Sequence, residues 1–89
     1  MKVLKFYAEW CGPCKVQSQI IKTAGDKITT PIEDVNIDDN IFMAQNFQVR
    51  GVPTMVLVDN EEKEIKRHVG VLKEAELLEW LKGEHEHFR

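Results

Sequence analysis

Two cysteines separated by Gly-Pro stand where a strand-like run gives way to a helix-like pattern. Val3–Ala8 is an apolar and aromatic run interrupted by Lys5, which predicts a strand. The segment from Cys11 to about Ala24 predicts a helix, because its apolar residues recur at helical spacing. These apolar residues are Val16, Ile20, Ile21 and Ala24. The cysteine pair is therefore expected on the turn that opens the first helix.

The rest of the chain continues to alternate between strand-like and helix-like patterns. The order is β-α-β-α-β-β-α, with the remaining elements predicted at Pro31–Ile37, Ile41–Phe47, Pro53–Val58, Glu64–Val69 and Leu72–Lys82. Asp38, Asp39 and Asn40 are capping residues ahead of the second helix. The third helix carries one apolar stripe, widened by two further side chains. The stripe consists of Leu72, Ala75, Leu78 and Leu81, with Leu77 and Trp80 beside it.

This order predicts an α/β fold. Two strands joined by a helix imply a right-handed parallel crossover, and two strands joined by a short turn are antiparallel. The sequence thus predicts a four-stranded mixed sheet with helices on both faces. One domain is expected over residues 1–83, followed by a polar tail over 84–89.

Length, charge and cysteine count exclude several classes of protein. With 89 residues the chain is sized for one domain, and no apolar run reaches the roughly 18–20 residues of a membrane span. The N-terminus lacks the apolar region of a signal peptide. A net charge of −3 argues against nucleic-acid binding. Two cysteines are too few for a secreted disulfide scaffold.

The position of Cys11 favours thiol chemistry. The unpaired N–H groups and partial positive charge of a helix N-terminus stabilise an anion, here the thiolate. In Cys-X-X-Cys motifs this lowers a thiol pKa to about 3.5–7.5. Pro13 suits the first helical turn, where it removes no hydrogen bond. Cys14 lies one turn further on, close enough for a disulfide, and is expected to be the more buried partner.

Two other roles for the cysteines are weaker. A purely structural disulfide closing a four-residue loop contributes only roughly 2 kcal/mol. A structural zinc site needs four ligands, and the only candidates beside the cysteines are His68, His85 and His87. No metal site is therefore predicted, and redox chemistry is favoured.

At these residues the sequence resembles the thioredoxin family. Ala8-Glu9-Trp10-Cys11-Gly12-Pro13-Cys14-Lys15 matches that family's active-site motif, and Arg50-Gly51-Val52-Pro53-Thr54 resembles its cis-proline loop. Val35-Asn36-Ile37-Asp38 and Val69-Gly70 also fall where thioredoxins have them. The similarity covers essentially the whole chain. The N-terminal strand and helix of full-length thioredoxins are missing, so the chain resembles the short forms of phages and archaea.

The resemblance implies a site and a reaction. Cys11 would be the nucleophile and Cys14 the resolving thiol in the reduction of protein disulfides, supported by Trp10, Gly12 and Pro13. The Val52–Pro53 bond would be cis, and substrates would dock as an added strand. The docking surface would consist of Trp10, Gly51, Val52, Pro53, Gly70 and Val71.

The resemblance also implies the partners. No metal or organic cofactor would be bound, and a thioredoxin reductase drawing on NADPH or ferredoxin would restore the dithiol. Gly-Pro between the cysteines resembles reducing thioredoxins, with potentials near about −270 mV. A monomer in the cytoplasm is expected, or in the host cytoplasm if the chain is phage-encoded.

The sequence departs from the family at one pair of charges. Most thioredoxins carry an aspartate on the first strand where this chain has Lys5, and a lysine on the second strand where it has Asp34. A swapped ion pair beneath the active-site helix is the resulting hypothesis. Lys5 would favour thiolates by direct charge, and Asp34 would oppose this or carry protons.

Two other functions remain open. A glutaredoxin-like, glutathione-linked enzyme would have the same fold, although Gly51-Val52-Pro53 lacks the threonine usual before that family's proline. A binding subunit would use the docking surface without redox turnover.

Overall fold

The computed structural model describes residues 1–83 and contains the predicted order of strands and helices. The strands are β1 (Lys2–Tyr7), β2 (Ile32–Asn36), β3 (Thr54–Val58) and β4 (Glu64–Val69). The helices are α1 (Gly12–Ala24), α2 (Ile41–Asn46) and α3 (Glu74–Gly83), with a 3-10 turn at Gly25–Lys27 that the sequence analysis did not predict. The predicted tail, and with it His85 and His87, lies outside the described residues.

The four strands form one mixed sheet in the order β2-β1-β3-β4. β1 pairs with β2 in parallel and with β3 antiparallel, and β3 pairs with β4 antiparallel. The prediction of a four-stranded mixed sheet is confirmed. β1 and β3 are the two central strands. The cysteine segment follows the C-terminal end of β1 and therefore lies at the end of a central strand.

Each face of the sheet is covered by helices. On one face Val3, Met55 and Leu57 pack with Ile20 and Ile21 of α1 and with apolar residues of α3. On the other face the buried strand residues pack against α2. These strand residues are Leu4, Phe6, Val35, Val56 and Val58, and the α2 segment contributes Met43, Ala44 and Phe47. The alternation along β1 explains the division, because successive side chains point to opposite faces.

Two predicted apolar stripes are partly wrong. Val16 is exposed, and the buried residues of α1 are Cys14, Gln17 and Ala24. In the third helix Ala75 is exposed and Leu77 is fully buried, while Leu72 lies before the first helical residue. The core-facing side of α1 includes the predicted Ile20, Ile21 and Ala24 but not Val16, and the core-facing side of α3 is centred on Leu77, because packing against the sheet selects the buried face.

Candidate active site

Cys11 and Cys14 lie at the start of α1 and form a disulfide, with their Cα atoms 5.2 Å apart. Cys11 is the N-cap residue, with extended backbone angles, and Pro13 occupies the first helical turn. The backbone N–H of Cys14 donates a hydrogen bond to Cys11 Sγ at 3.1 Å. A sulfur atom therefore takes the capping position that oxygen side chains usually fill.

The electrostatics of this helix end favour a negative sulfur. Free N–H groups and the helix dipole place partial positive charge at the N-terminus. The first turn of α1 contains no acidic residue that would offset this charge. A Cys11 thiolate would accept the Cys14 N–H bond more strongly than a thiol, because charge-assisted hydrogen bonds are the stronger kind.

The burial of the two cysteines differs less than expected. Cys11 is 4% exposed and Cys14 is 2% exposed, so Cys14 is the more buried only by a small margin. Both pack with Ala8, Tyr7, Ile37 and Val52. Their difference lies in position along the helix, since Cys11 caps α1 and Cys14 lies within its first turn.

The loop before β3 faces the cysteine pair. The Val52 carbonyl oxygen is 3.7 Å from Cys11 Sγ, and the Val52–Pro53 peptide bond is cis. Pro53 is buried, and its carbonyl accepts a hydrogen bond from the Gly70 N–H at 2.9 Å. The Thr54 hydroxyl donates to the Gly51 carbonyl at 2.6 Å. Residues far apart in sequence thus meet beside the disulfide.

The predicted docking residues surround this loop with varying exposure. Trp10 is 70% exposed, and its indole N–H donates to the Asp38 carboxylate at 3.2 Å. Gly51 is exposed, and Val52, Gly70 and Val71 are half-buried. A groove is lined by Trp10, Ile37, Val49, Arg50, Gly51 and Val52. An apolar surface with an exposed aromatic ring therefore adjoins Cys11.

The exchanged charges at Lys5 and Asp34 meet beneath α1. The two residues are register partners on β1 and β2, and the Lys5 ammonium is 3.3 Å from the Asp34 carboxylate. Lys5 is 2% exposed, whereas the Asp34 side chain is 61% exposed, so only the lysine end of the pair is buried. The ammonium also donates to the Ser18 hydroxyl at 2.6 Å and lies 5.2 Å from the Tyr7 ring centroid.

A cleft of about 260 Å³ opens beside the second cysteine. Tyr7, Ser18 and Cys14 all line it. The hydroxyl that accepts from Lys5 therefore belongs to the same cleft wall as Cys14. Ser18 was not among the residues predicted from the sequence, although its place one turn after Cys14 puts it on the same side of the helix.

A second overlooked residue is Gln17, which is fully buried in α1. Its amide exchanges two hydrogen bonds with the backbone of Leu72. Its spacing from Cys14 could have predicted its burial, because residue 17 follows Cys14 by three positions and so lies on the same helix face.

Residues 1–83 contain neither a cluster of metal-ligating side chains nor a helix suited to a bilayer. No three His, Cys, Asp or Glu side chains in this range are grouped so that they could hold a metal ion. No helix in the same range has the length and apolar character required to cross a membrane.

The fold and the cysteine pair together define a class, the thiol-disulfide oxidoreductases of the thioredoxin-like fold. The family model described as Thioredoxin matches residues 1–83. The chain therefore belongs to the thioredoxin family. Its site is a redox site of the thioredoxin type, with a redox-active disulfide between Cys11 and Cys14.

Curated relatives and solved structures agree with this membership. A thioredoxin of Mycolicibacterium smegmatis is 40% identical over 80 residues, covering 85% of this chain and 70% of the relative. A thioredoxin of Rickettsia typhi is 36% identical over 86 residues, covering 89% and 76%. The structure of a mutant thioredoxin from Halobacterium salinarum NRC-1 superposes with a TM-score of 0.81 at 30% identity, covering 91% of this chain and 71% of that one.

Proposed function

We propose that the chain reduces disulfide bonds of other proteins, with Cys11 as the nucleophile and Cys14 as the resolving thiol. One observation carries the proposal: the Cys11 sulfur caps α1, accepts the Cys14 N–H bond and is disulfide-bonded to Cys14. This position stabilises a thiolate, and the thiolate is the attacking species in disulfide exchange.

The reaction proceeds in two exchanges. The Cys11 thiolate attacks one substrate sulfur, so a mixed disulfide forms, the substrate S–S bond breaks, and the released substrate thiolate takes a proton. Cys14 loses its proton and attacks Cys11 Sγ, which expels the second substrate thiolate and closes the Cys11–Cys14 disulfide. Two electrons pass from the dithiol to the substrate. A thioredoxin reductase supplied by NADPH or ferredoxin would return them.

The substrate would bind as an extended strand at Val52. Within residues 1–83 the Val52 N–H has no hydrogen-bond partner, so it is available to a substrate backbone. Main-chain pairing of this kind gives affinity without strong sequence demands. Trp10, Gly51, Gly70 and Val71 would supply the surrounding contacts, and Pro53 shapes the loop. We propose that the chain works as a monomer in the cytoplasm, where reductases keep dithiols reduced.

The test is insulin-disulfide reduction, first with dithiothreitol and then with a thioredoxin reductase and NADPH. Cys11→Ser should abolish turnover. Cys14→Ser should instead accumulate a mixed disulfide with the substrate, because the resolving step is lost. The two variants control for each other, since each removes one sulfur from the same turn. Equal activity of Cys11→Ser and wild type would refute the assignment. If glutathione reduces the Cys11–Cys14 disulfide faster than the reductase does, glutaredoxin-like chemistry is favoured instead.

We further propose that Lys5 raises the thiolate population of the cysteine pair. Its ammonium is buried and bonded to Ser18, which lines the cleft beside Cys14, so its charge acts through a poorly screened interior. Asp34 faces solvent, and water screens much of its opposing effect. Lys5 therefore dominates the pair.

Thiolate absorbance measured against pH tests this role of Lys5. Lys5→Met should move the cysteine titration to higher pH, and Asp34→Asn should move it less and in the opposite direction. Lys2→Met is the matched control, because Lys2 lies on the same strand and pairs with Glu33 and Glu62 at the surface. A titration that neither Lys5→Met nor Asp34→Asn moves would exclude any influence of the pair.

A further inference from the structure

Gln17 is a buried polar residue that the redox chemistry does not use. It is 0% exposed and lies in α1 three positions after Cys14. A buried amide is costly unless its groups are hydrogen-bonded. Its partners therefore indicate what the residue does.

Both ends of the Gln17 amide bind one residue. Gln17 Nε2 donates to the Leu72 carbonyl at 3.1 Å, and Gln17 Oε1 accepts from the Leu72 N–H at 2.7 Å. Leu72 lies in the irregular segment between β4 and α3, and no backbone group among residues 1–83 pairs with its N–H or C=O. The Gln17 side chain thus binds both the N–H and the C=O of Leu72, as the backbone of a neighbouring β-strand would, and fixes the position of this residue.

This attachment belongs to a closed ring of contacts around the disulfide. Two residues before Leu72, the Gly70 N–H donates to the Pro53 carbonyl at 2.9 Å. The preceding Val52 carbonyl lies 3.7 Å from Cys11 Sγ. The ring returns through the first turn of α1 to Gln17. Gln17 therefore joins the cysteine-bearing helix to the Gly70–Leu72 segment through two hydrogen bonds.

We infer that Gln17 is a positioning residue for protein substrates, acting through the Gly70–Leu72 segment. The inference rests on the proposed function, in which Gly70 and Val71 contact the substrate strand. A protein substrate gains part of its affinity from main-chain and apolar contacts with this segment, so a displaced segment binds the substrate strand more weakly. An apolar side chain at position 17 would leave the Leu72 N–H and C=O buried without partners, so the segment would shift to satisfy them.

The test compares a protein disulfide with a small one. Gln17→Met keeps the length of the side chain and removes both hydrogen bonds. We expect the KM for insulin to rise roughly tenfold, as for the loss of one or two hydrogen bonds. The kcat for insulin and the rate with 5,5′-dithiobis(2-nitrobenzoate) should stay within about twofold, because a small disulfide does not need the segment.

Gln45→Met is the matched control, because it makes the same chemical change at an exposed position of α2. Hydrogen exchange at the Leu72 amide, fast in Gln17→Met and slow in wild type and control, shows that the intended bonds were removed. If Gln17→Met does not fold, Gln17→Asn serves instead, since it keeps a polar amide at the buried position but is one carbon shorter and cannot hold both groups of Leu72 at hydrogen-bond distance. Its KM should rise in the same way.

Four outcomes are distinguishable. A raised KM for insulin with an unchanged small-disulfide rate supports the inference. Fast exchange at Leu72 with an unchanged KM overturns it, as does an equal loss of activity toward both disulfides, which is the mark of a structural role alone. A wild-type protein that fails to reduce insulin refutes the proposed function instead.

Discussion

At the scale of single residues, the chemistry of this chain depends on which groups surround each side chain. The cysteines could be assigned from sequence because their neighbours in the strand-to-helix turn are also neighbours in the chain. Lys5 and Asp34 could be paired only through their departure from the family pattern. Their unequal burial follows from tertiary position, because β2 is an edge strand and leaves Asp34 open to solvent.

The conformation of Gly70 gives a prediction at this scale. Its φ is +101°, a region that residues with a Cβ rarely adopt, although no neighbour lies within 4 Å of a Cβ built there. Gly70→Ala should therefore lose about 1–3 kcal/mol of unfolding free energy through backbone strain alone.

Urea denaturation of the oxidised protein measures this loss. Gly12→Ala is the control, because Gly12 has equal space around its Cβ and lies in α1 without a positive φ. That variant should be neutral or more stable by up to about 1 kcal/mol. Equal stability of Gly70→Ala and wild type would contradict the assignment of strain.

At the scale of secondary-structure elements, the order was predictable and the buried faces of the helices only in part. Strand alternation and helical periodicity located all seven strands and α-helices found within residues 1–83, with bounds that differ by a residue or two. The rotation of α3 differs because the third helix offered Leu at several positions, and its own sequence could not decide which Leu faces the sheet. Contact with Val3, Met55 and Leu57 decides it in favour of Leu77.

Two leucines of α3 test that rotation. Leu77 is fully buried, whereas its neighbour Leu78 is only partly buried. Leu77→Ala should cost about 2–5 kcal/mol of unfolding free energy, because it removes buried carbon and leaves a cavity. Leu78→Ala deletes the same atoms and should cost clearly less. Chemical denaturation compares them, and a larger loss at Leu78 would place the buried stripe where the sequence analysis did.

The turn between β3 and β4 gives a pH-dependent prediction. The Asp59 carboxylate accepts backbone N–H bonds from Lys63 at 2.9 Å and Glu61 at 2.8 Å. The bond from Lys63 is the main cause that holds the pKa of Asp59 below its usual value. A folded-state pKa below the unfolded one gives stability at pH values above the unfolded pKa, and that stability disappears as pH falls through the folded pKa.

Asp59→Asn keeps an acceptor oxygen but removes the charge. It should therefore be less stable than wild type at neutral pH, and the difference should vanish toward about pH 2. Urea denaturation at several pH values measures the difference. Glu61→Gln, which removes an exposed carboxylate from the same turn, reports any general effect of turn charge. If the difference in unfolding free energy between wild type and Asp59→Asn does not change with pH, the carboxylate charge contributes nothing to stability.

At the scale of the whole molecule, one sheet has an apolar core on each face, and the redox site lies at the C-terminal end of its central strand β1. The chain is small, with 89 residues and a Cα radius of gyration of 12.5 Å. Small domains are only marginally stable, so the presence or absence of one disulfide changes a sizeable part of the unfolding free energy. The disulfide and the fold are thermodynamically linked, since the bond restricts the unfolded chain.

Reduction should therefore lower the stability of the whole domain. Closing the short Cys11–Cys14 loop contributes about 2 kcal/mol in the chain-entropy treatment. Denaturation of the oxidised and the dithiothreitol-reduced protein should differ by about this amount, and a Cys11→Ser, Cys14→Ser double variant, which cannot form the bond, should lose no stability when dithiothreitol is added. If the reduced protein is as stable as the oxidised one, the predicted loss is contradicted, and favourable interactions of the thiolates in the folded state must offset the missing cross-link.

The sequence by itself determined the order of the elements, the redox pair and its place at a helix start. These properties depend on residues close together in the chain, where spacing and intrinsic preference act directly. Only the tertiary structure decided that Gln17 holds Leu72, that Gly70 bonds Pro53 and that Lys5 is buried while Asp34 is exposed. Each of these joins segments far apart in sequence, and their meeting depends on which helix face packs against the sheet and which strand lies at its edge.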